Sequence, residues 1–206
     1  LDATAELMKN LTEAPGPSGF EEAVREIVVR EFDELGLDVQ FDGLGSVLAN
    51  GGYAAGGPRV MVTAHLDEVG LMVQYITPDG FVRVKTLGGW LRQALPDQRW
   101  TILGRQGPVT GVSGIRTIHV TPGSQRDRVW SLEETFLDLG AASAAQVEAM
   151  GVRPGDGIAP QSDFVMLHNQ RYAAKAWDDR VGLAVMLVAA RRIRDEGIRS
   201  PADVVW

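Results

Sequence analysis

At 206 residues, 45% hydrophobic and 23% charged, the chain can bury a sizeable core and is not a disordered segment. Its formal net charge of −7 argues against nonspecific nucleic-acid binding, which needs a basic face, and the lack of cysteine excludes disulfides, thiolate metal ligands and a thiol nucleophile. No apolar run reaches membrane-spanning length and no charged-then-apolar leader opens the chain, so a cytoplasmic protein without a membrane partner is expected.

Residues 4–13 read as a short helix ended by Pro15-Gly16-Pro17. Ser18 and Glu21 have the spacing of a capping box, and Ala23, Val24, Ile27, Val28, Phe32 and Leu35 then recur at helical intervals until Gly36 stops them. Leu37, Val39 and Phe41 alternate with Asp38 and Gln40, which predicts a half-buried strand. A glycine-rich connection over residues 50–58 leads to Val60-Met61-Val62-Thr63-Ala64, whose apolar, β-branched character predicts a buried strand. This helix-strand order fits an α/β domain. From about residue 73 to residue 168 the texture changes to short strands with turns, as over residues 75–82 and 104–107, so a small β-barrel or sandwich is expected. One helix, over residues 142–150 with Gly151 as its stop, is predicted inside it. Residues 181–190 are apolar on almost every side and too short to span a bilayer, which predicts a buried core helix. Val204-Val205-Trp206 reads as the opening of a further buried strand.

Two positions carry candidate chemistry. His65-Leu66-Asp67 directly follows the run ending at Ala64, and ligands in open α/β sheets bind just beyond the carboxyl ends of such strands. Imidazole is the commonest protein ligand for a transition metal, and a nearby carboxylate can orient it by accepting its second N–H. The bland alternative is a histidine and an aspartate that face water at a strand end. The second position is Trp177-Asp178-Asp179-Arg180, at the mouth of the apolar helix. Two carboxylates there suit the positive end of the helix dipole, so an N-cap aspartate plus an Asp179–Arg180 surface pair is one reading. Together with His65, the same carboxylates could hold a hard or borderline cation. His119, in an Ile-His-Val strand context, and His168, at the end of an apolar run, read as strand-end or interface histidines, and Gln125-Arg126-Asp127-Arg128 as a solvated loop. No Gly-x-Ser-x-Gly elbow and no phosphate-binding Walker pattern occur.

Ala64-His65-Leu66-Asp67-Glu68-Val69-Gly70 and Lys175-Ala176-Trp177-Asp178-Asp179-Arg180-Val181-Gly182 resemble the two N-terminal signatures of the dinuclear metallo-aminopeptidases that assemble as tetrahedral dodecamers. That family includes glutamyl and leucyl aminopeptidases, and its members are often labelled endoglucanase or cellulase M. Pro15-Gly16-Pro17-Ser18-Gly19-Phe20-Glu21-Glu22, Gly88-Gly89-Trp90, Gly104-Arg105-Gln106-Gly107, Phe136-Leu137-Asp138-Leu139-Gly140-Ala141 and Gly155-Asp156 extend the likeness over essentially the whole chain. The resemblance implies a zinc-exopeptidase-like α/β catalytic domain in residues 1–72 and 169–206, interrupted by a dimerisation domain in residues 73–168. It further implies that His65 ligates one metal, that Asp178 bridges two, and that Asp67 supports catalysis by orienting the His65 imidazole. Asp179 would support the loop. The implied cofactors are two divalent ions, Zn²⁺ with Co²⁺ as the alternative, and the implied partners are peptide substrates and copies of the same chain, dimers building a dodecamer.

The likeness departs at both ends. Leu1 is not an initiator methionine, and the family's Glu-Glu pair, expected just after the strand opening at Val204, is not among these residues, nor are its further Asp and His ligands. Glu133-Glu134 is not that pair, because it precedes the strand-like residues 135–139 inside the inserted domain. An N-terminal fragment of a metal-dependent aminopeptidase, inactive alone, is therefore the expectation. The rivals are a noncatalytic, oligomer-forming fragment or pseudoenzyme, and a deacylase on the same fold. Glycoside cleavage is weaker, since its usual carboxylate pair needs no dinuclear metal.

Overall fold

Helix-compatible apolar spacing opens the chain. In the computed structural model, which describes residues 1–51 and 57–206, helix α1 (Ala3–Glu13) buries Ala5, Leu7, Met8 and Leu11 on one face. Asp2 caps it, accepting the Ala5 amide hydrogen at 2.8 Å, and Ala14, extended as residues before proline must be, ends it. Helix α2 (Glu22–Glu34) packs Val24, Val28 and Phe32 at four-residue intervals and stops before Gly36, whose φ of +71° suits glycine. Helix α2 starts three residues later than a cap at Ser18 would place it. Glu21 occupies the N-cap with no side-chain cap bond, and a turn closed by the Phe20 amide on the Pro17 carbonyl at 2.8 Å precedes it.

Strands β1 (Asp38–Phe41) and β2 (Val47–Asn50) form a hairpin, with Phe41 opposite Val47. Asp42 builds the turn by accepting the amide hydrogens of Leu44 and Ser46, both at 2.8 Å. Strand β3 (Arg59–Met61) corrects the expectation of a five-residue buried strand. It is three residues long, with Val60 44% and Met61 62% exposed, and among the described residues it is an edge strand of its sheet, beside β12. Part of the glycine-rich connection, residues 52–56, lies outside the described residues.

The next strands are β4 (Gly70–Ile76), β5 (Val82–Leu87), β6 (Arg99–Gly104), β7 (Gly107–Gly114), β8 (Phe136–Asp138) and β9 (Gly157–Pro160). They close into a barrel in the order β4-β5-β8-β7-β6-β9. Alternate residues point inward, Leu71 and Val73, Val82 and Val84, Trp100 and Ile102, and with Leu137 and Ile158 they fill the interior. Helix α3 (Ala144–Ala149) begins after the capping Ser143 and ends before Gly151, φ +86°.

After the barrel, β10 (Val165–Leu167) and β11 (Arg171–Ala173) form a second hairpin, followed by helix α4 (Trp177–Asp195) and strand β12 (Asp203–Val205). The main sheet has the order β1-β2-β12-β3, with β12 antiparallel to β2 and parallel to β3, Val205 opposite Met61. Helix α4 buries Leu183, Ala184, Met186, Leu187 and Ala190 against α1, α2 and the sheet. It is not buried all round, since Val181 is 42% and Val185 64% exposed. Among the described residues, no helix is long and apolar enough to cross a membrane.

The chain forms two compact units. One comprises Leu1–Gly16, Glu21–Asp67 and Phe164–Trp206, the other Pro17–Phe20 and Glu68–Asp163. These borders differ from residues 73 and 168: the barrel already starts at Gly70, where strand texture in the sequence is still indistinct from the motif before it.

Candidate functional site

Beyond β3 the chain turns inward through Val62, Ala64 and Leu66, which pack partly against the α/β core, and the alternation leaves His65 exposed between them. Asp178 arrives from the mouth of α4. Its backbone (φ −88°, ψ 106°) and that of Asp179 (φ −122°, ψ 37°) are not helical, and the peptide bond between them is cis. The helical conformation begins at Arg180, so Asp179 is the working N-cap: its Oδ1 accepts the Gly182 amide hydrogen at 3.1 Å.

The two positions meet although 113 residues separate them: His65 Nε2 lies 2.9 Å from Asp178 Oδ1. On the other ring edge, Nδ1 is 3.0 Å from Asp67 Oδ1 and 3.2 Å from the Asp67 carbonyl. The His65 side chain is 53% exposed and that of Asp178 95%. Burial alone would lower the pKa of His65, but the hydrogen bond to Asp178 and the charges of Asp67 and Asp178 outweigh it, and the net direction is up. A cavity of about 290 Å³ opens beside His65 and Asp67, its floor made by Val28, Phe32, Leu183 and Met186 and its rim including Arg25 and Glu21.

This donor set suits a transition metal in kind, one imidazole nitrogen and one carboxylate oxygen, with a second carboxylate able to fix the tautomer. If Nδ1 keeps its hydrogen and donates it in a hydrogen bond to Asp67, the Nε2 lone pair and the Asp178 oxygen are two Lewis bases 2.9 Å apart, an arrangement that calls for a proton or a cation between them. It is a partial set. Among the described residues, no group of three or more His, Asp or Glu side chains could hold a metal ion.

The other sequence candidates lie elsewhere. His119 is not in a strand but in an exposed 3₁₀ turn (Ile118–Val120), because the Thr117 hydroxyl accepts its amide hydrogen at 3.2 Å and starts a turn. His168 stands at the end of β10, in the turn to β11. Arg180 corrects the reading of an Asp179–Arg180 surface pair. It is fully buried and donates from Nη1 to the carbonyls of Leu11 and Ala14, a role without a local sequence signal.

A family model described as M42 glutamyl aminopeptidase matches residues 45–206, and one described as AMPT matches residues 2–27. The chain is similar to the lysyl aminopeptidase of Pyrococcus furiosus, 35% identical over 191 residues that cover 91% of this chain and 54% of that protein. Among solved structures, it resembles the TET aminopeptidase of a marine sediment Thaumarchaeota archaeon, with 38% identity and a TM-score of 0.93 over 99% of this chain and 57% of that one. It also resembles the TET1 peptidase of Pyrococcus horikoshii, which can assemble into a tetrahedron or a large octahedral shell, with 25% identity and a TM-score of 0.88 over 99% of this chain and 60% of that one. The chain spans about half the length of the curated relatives it matches. With a barrel set into an α/β unit, and with the matching model covering both His65 and Asp178, the chain belongs to the M42 glutamyl aminopeptidase family.

Proposed function

We propose that the protein carrying this chain is a metal-dependent aminopeptidase that removes residues from the free amino end of peptides, with His65 and Asp178 as ligands. The observation that carries this reading is the 2.9 Å approach of His65 Nε2 to Asp178 Oδ1. Asp67 accepts a hydrogen bond from Nδ1–H, which keeps the Nε2 lone pair available to a metal and tightens the ring's orientation. Asp178, exposed and acceptor-only, has oxygens to offer two ions at once. Two divalent ions held there, Zn²⁺ or else Co²⁺, would polarise the scissile carbonyl and lower the pKa of a bound water. The parallel register of β12 on β3, Val205 beside Met61, leads any continuation past Trp206 alongside residues 62–65. The Glu-Glu pair implied by the family, source of the proton acceptor, belongs at that place.

The TET relatives support a homo-oligomer, and we assign its dimer contact to the barrel unit. The test is a panel of aminoacyl anilides, acyl-amino acids and cello-oligosaccharides offered to the full-length protein. Metal-dependent cleavage of the anilides, lost in both His65→Ala and Asp178→Asn, is expected. Preference for acyl-amino acids or for the oligosaccharides overturns the assignment.

A further inference from the structure

We propose that Arg180, seated against Gly16, is a positioning residue that holds Asp178 at His65, an inference resting on the reading of that pair as the metal-binding one. The Asp178 side chain is 95% exposed, so packing does not fix it, and its place depends on the non-helical backbone from which it projects. That backbone is tied down on both sides. Three residues before Asp178, Lys175 Nζ donates to the Ala14 carbonyl at 3.1 Å. Two residues after it, the buried Arg180 donates to the carbonyls of Leu11 and Ala14, the latter at 3.4 Å. Both acceptors belong to the end of α1, whose last carbonyls have no partner inside the helix. Two cations thus grip one helix end and carry Asp178 on the segment between them.

The guanidinium fits because residue 16 has no side chain. A Cβ there would lie 2.7 Å from Arg180 Nη2 and 2.9 Å from Val24 Cγ2. A methyl group at position 16 therefore drives the guanidinium out of its seat, and Arg180, with no exposed surface, has nowhere to withdraw. His65 is carried on a different branch of the chain, held by Val62, Ala64 and Leu66. A shift of the α4 mouth along α1 moves Asp178 and leaves His65 where it was. Both bonds leave the one nitrogen Nη1, and the side chain of lysine, one bond shorter, carries its ammonium short of that position.

The test compares Gly16→Ala, Arg180→Lys and the double variant in the full-length protein, by crystal structure and by calorimetric titration with Co²⁺ alone. Each single variant is expected to keep its far-UV circular dichroism, to part Asp178 from His65 beyond hydrogen-bonding reach, and to weaken Co²⁺ about tenfold, as loss of a supporting contact does. In the double variant the slimmer lysine leaves room for the methyl, and the approach and most of the affinity return. Unchanged separation in the single variants, additive losses in the double one, or single variants that fail to fold all overturn the proposal. A His65→Ala variant with undiminished Co²⁺ binding sinks the metal-site reading instead, and the separations in the crystal structures then decide the role of Arg180 by themselves.

Discussion

Asp179 Oδ1 accepts the amide hydrogen of Gly182 at 3.1 Å, and this bond divides the labour between two adjacent aspartates. Asp179 spends its carboxylate on the first turn of α4, whereas Asp178, one residue outside the helix, is left to face His65.

Stability and metal content should therefore separate between the two. Asp179→Ala removes a cap and should cost about 1 kcal/mol. Gly182→Ala should cost at least as much, because its Cβ would lie 2.5 Å from both Asp179 carboxylate oxygens. Asp178→Asn should stay within about 0.5 kcal/mol of the parent, as exposed substitutions do, yet lose bound ions. Urea denaturation of the chain and elemental analysis of the full-length protein check the pair; a stability loss greater for Asp178→Asn than for Asp179→Ala contradicts the division.

Histidine substitutions separate the site from its surroundings. His65→Ala in the full-length protein should lose an ion, while His119→Ala, in an exposed turn, should keep its metal content. Equal loss in both, by elemental analysis, removes the assignment of His65.

The parts of the fold written in local periodicity were legible. The face of α2 follows from the spacing of its apolar residues, the barrel shows in its short strands and turns, and the His65 and Asp178 motifs are each contiguous. What the sequence hid depends on distant partners. The edge position of β3, beside β12 among the described residues and joined to it by Arg59 to Asp203 across 144 residues at 3.0 Å, is one such case. The burial of Arg180 depends on a glycine and two carbonyls at the end of α1, and in isolation an arginine after two aspartates reads as a surface charge. At α2 the local spacing points to a helix start after Ser18, whereas a turn over Pro17–Phe20 intervenes and the helix begins at Glu22.

Inside the barrel, Ser113 is the polar hub. Its Oγ accepts from Trp100 Nε1 and from the Gln98 amide, each at 3.0 Å, and donates to the Leu95 carbonyl. Ser113→Ala strands the indole N–H of the fully buried Trp100, and an unsatisfied buried donor costs about 1–3 kcal/mol. A denaturation midpoint equal to the parent's would show that the network is replaceable.

Acid should loosen the segment before β8. The Arg128 guanidinium pairs with both oxygens of Glu134, and with the Ser131 amide it lowers that carboxyl from 4.5 to about 2. Because the folded pKa lies below the unfolded one, the pair stabilises the segment fully above the ordinary glutamate range, and the contribution disappears as pH falls through about 2. Carboxyl NMR should place the Glu134 midpoint near 2, and Glu134→Gln should remove the acid transition from the fluorescence of Trp130, whose ring lies 4.4 Å from the Arg128 guanidinium. A midpoint at 4.5 would mean the pair does not form in solution.

The final prediction concerns turnover by these 206 residues alone. His65 and Asp178 offer one nitrogen and one carboxylate, with Asp67 behind the ring, and no larger ligating group exists among the described residues. Catalytic zinc sites use about three protein ligands per ion, so a two-donor set holds Zn²⁺ or Co²⁺ weakly. An ion so held still needs a group to take the proton of its water, and the two carboxylates in contact with His65 are engaged, Asp67 with the imidazole and Asp178 with the proposed metal. The isolated chain should therefore release no amino acid from aminoacyl anilides, and neither ion should rescue it. An assay of material whose intact mass ends at Trp206 decides the matter: metal-dependent release by that preparation, abolished by His65→Ala, would show that these residues complete a working site by themselves, for example through a second copy of the chain.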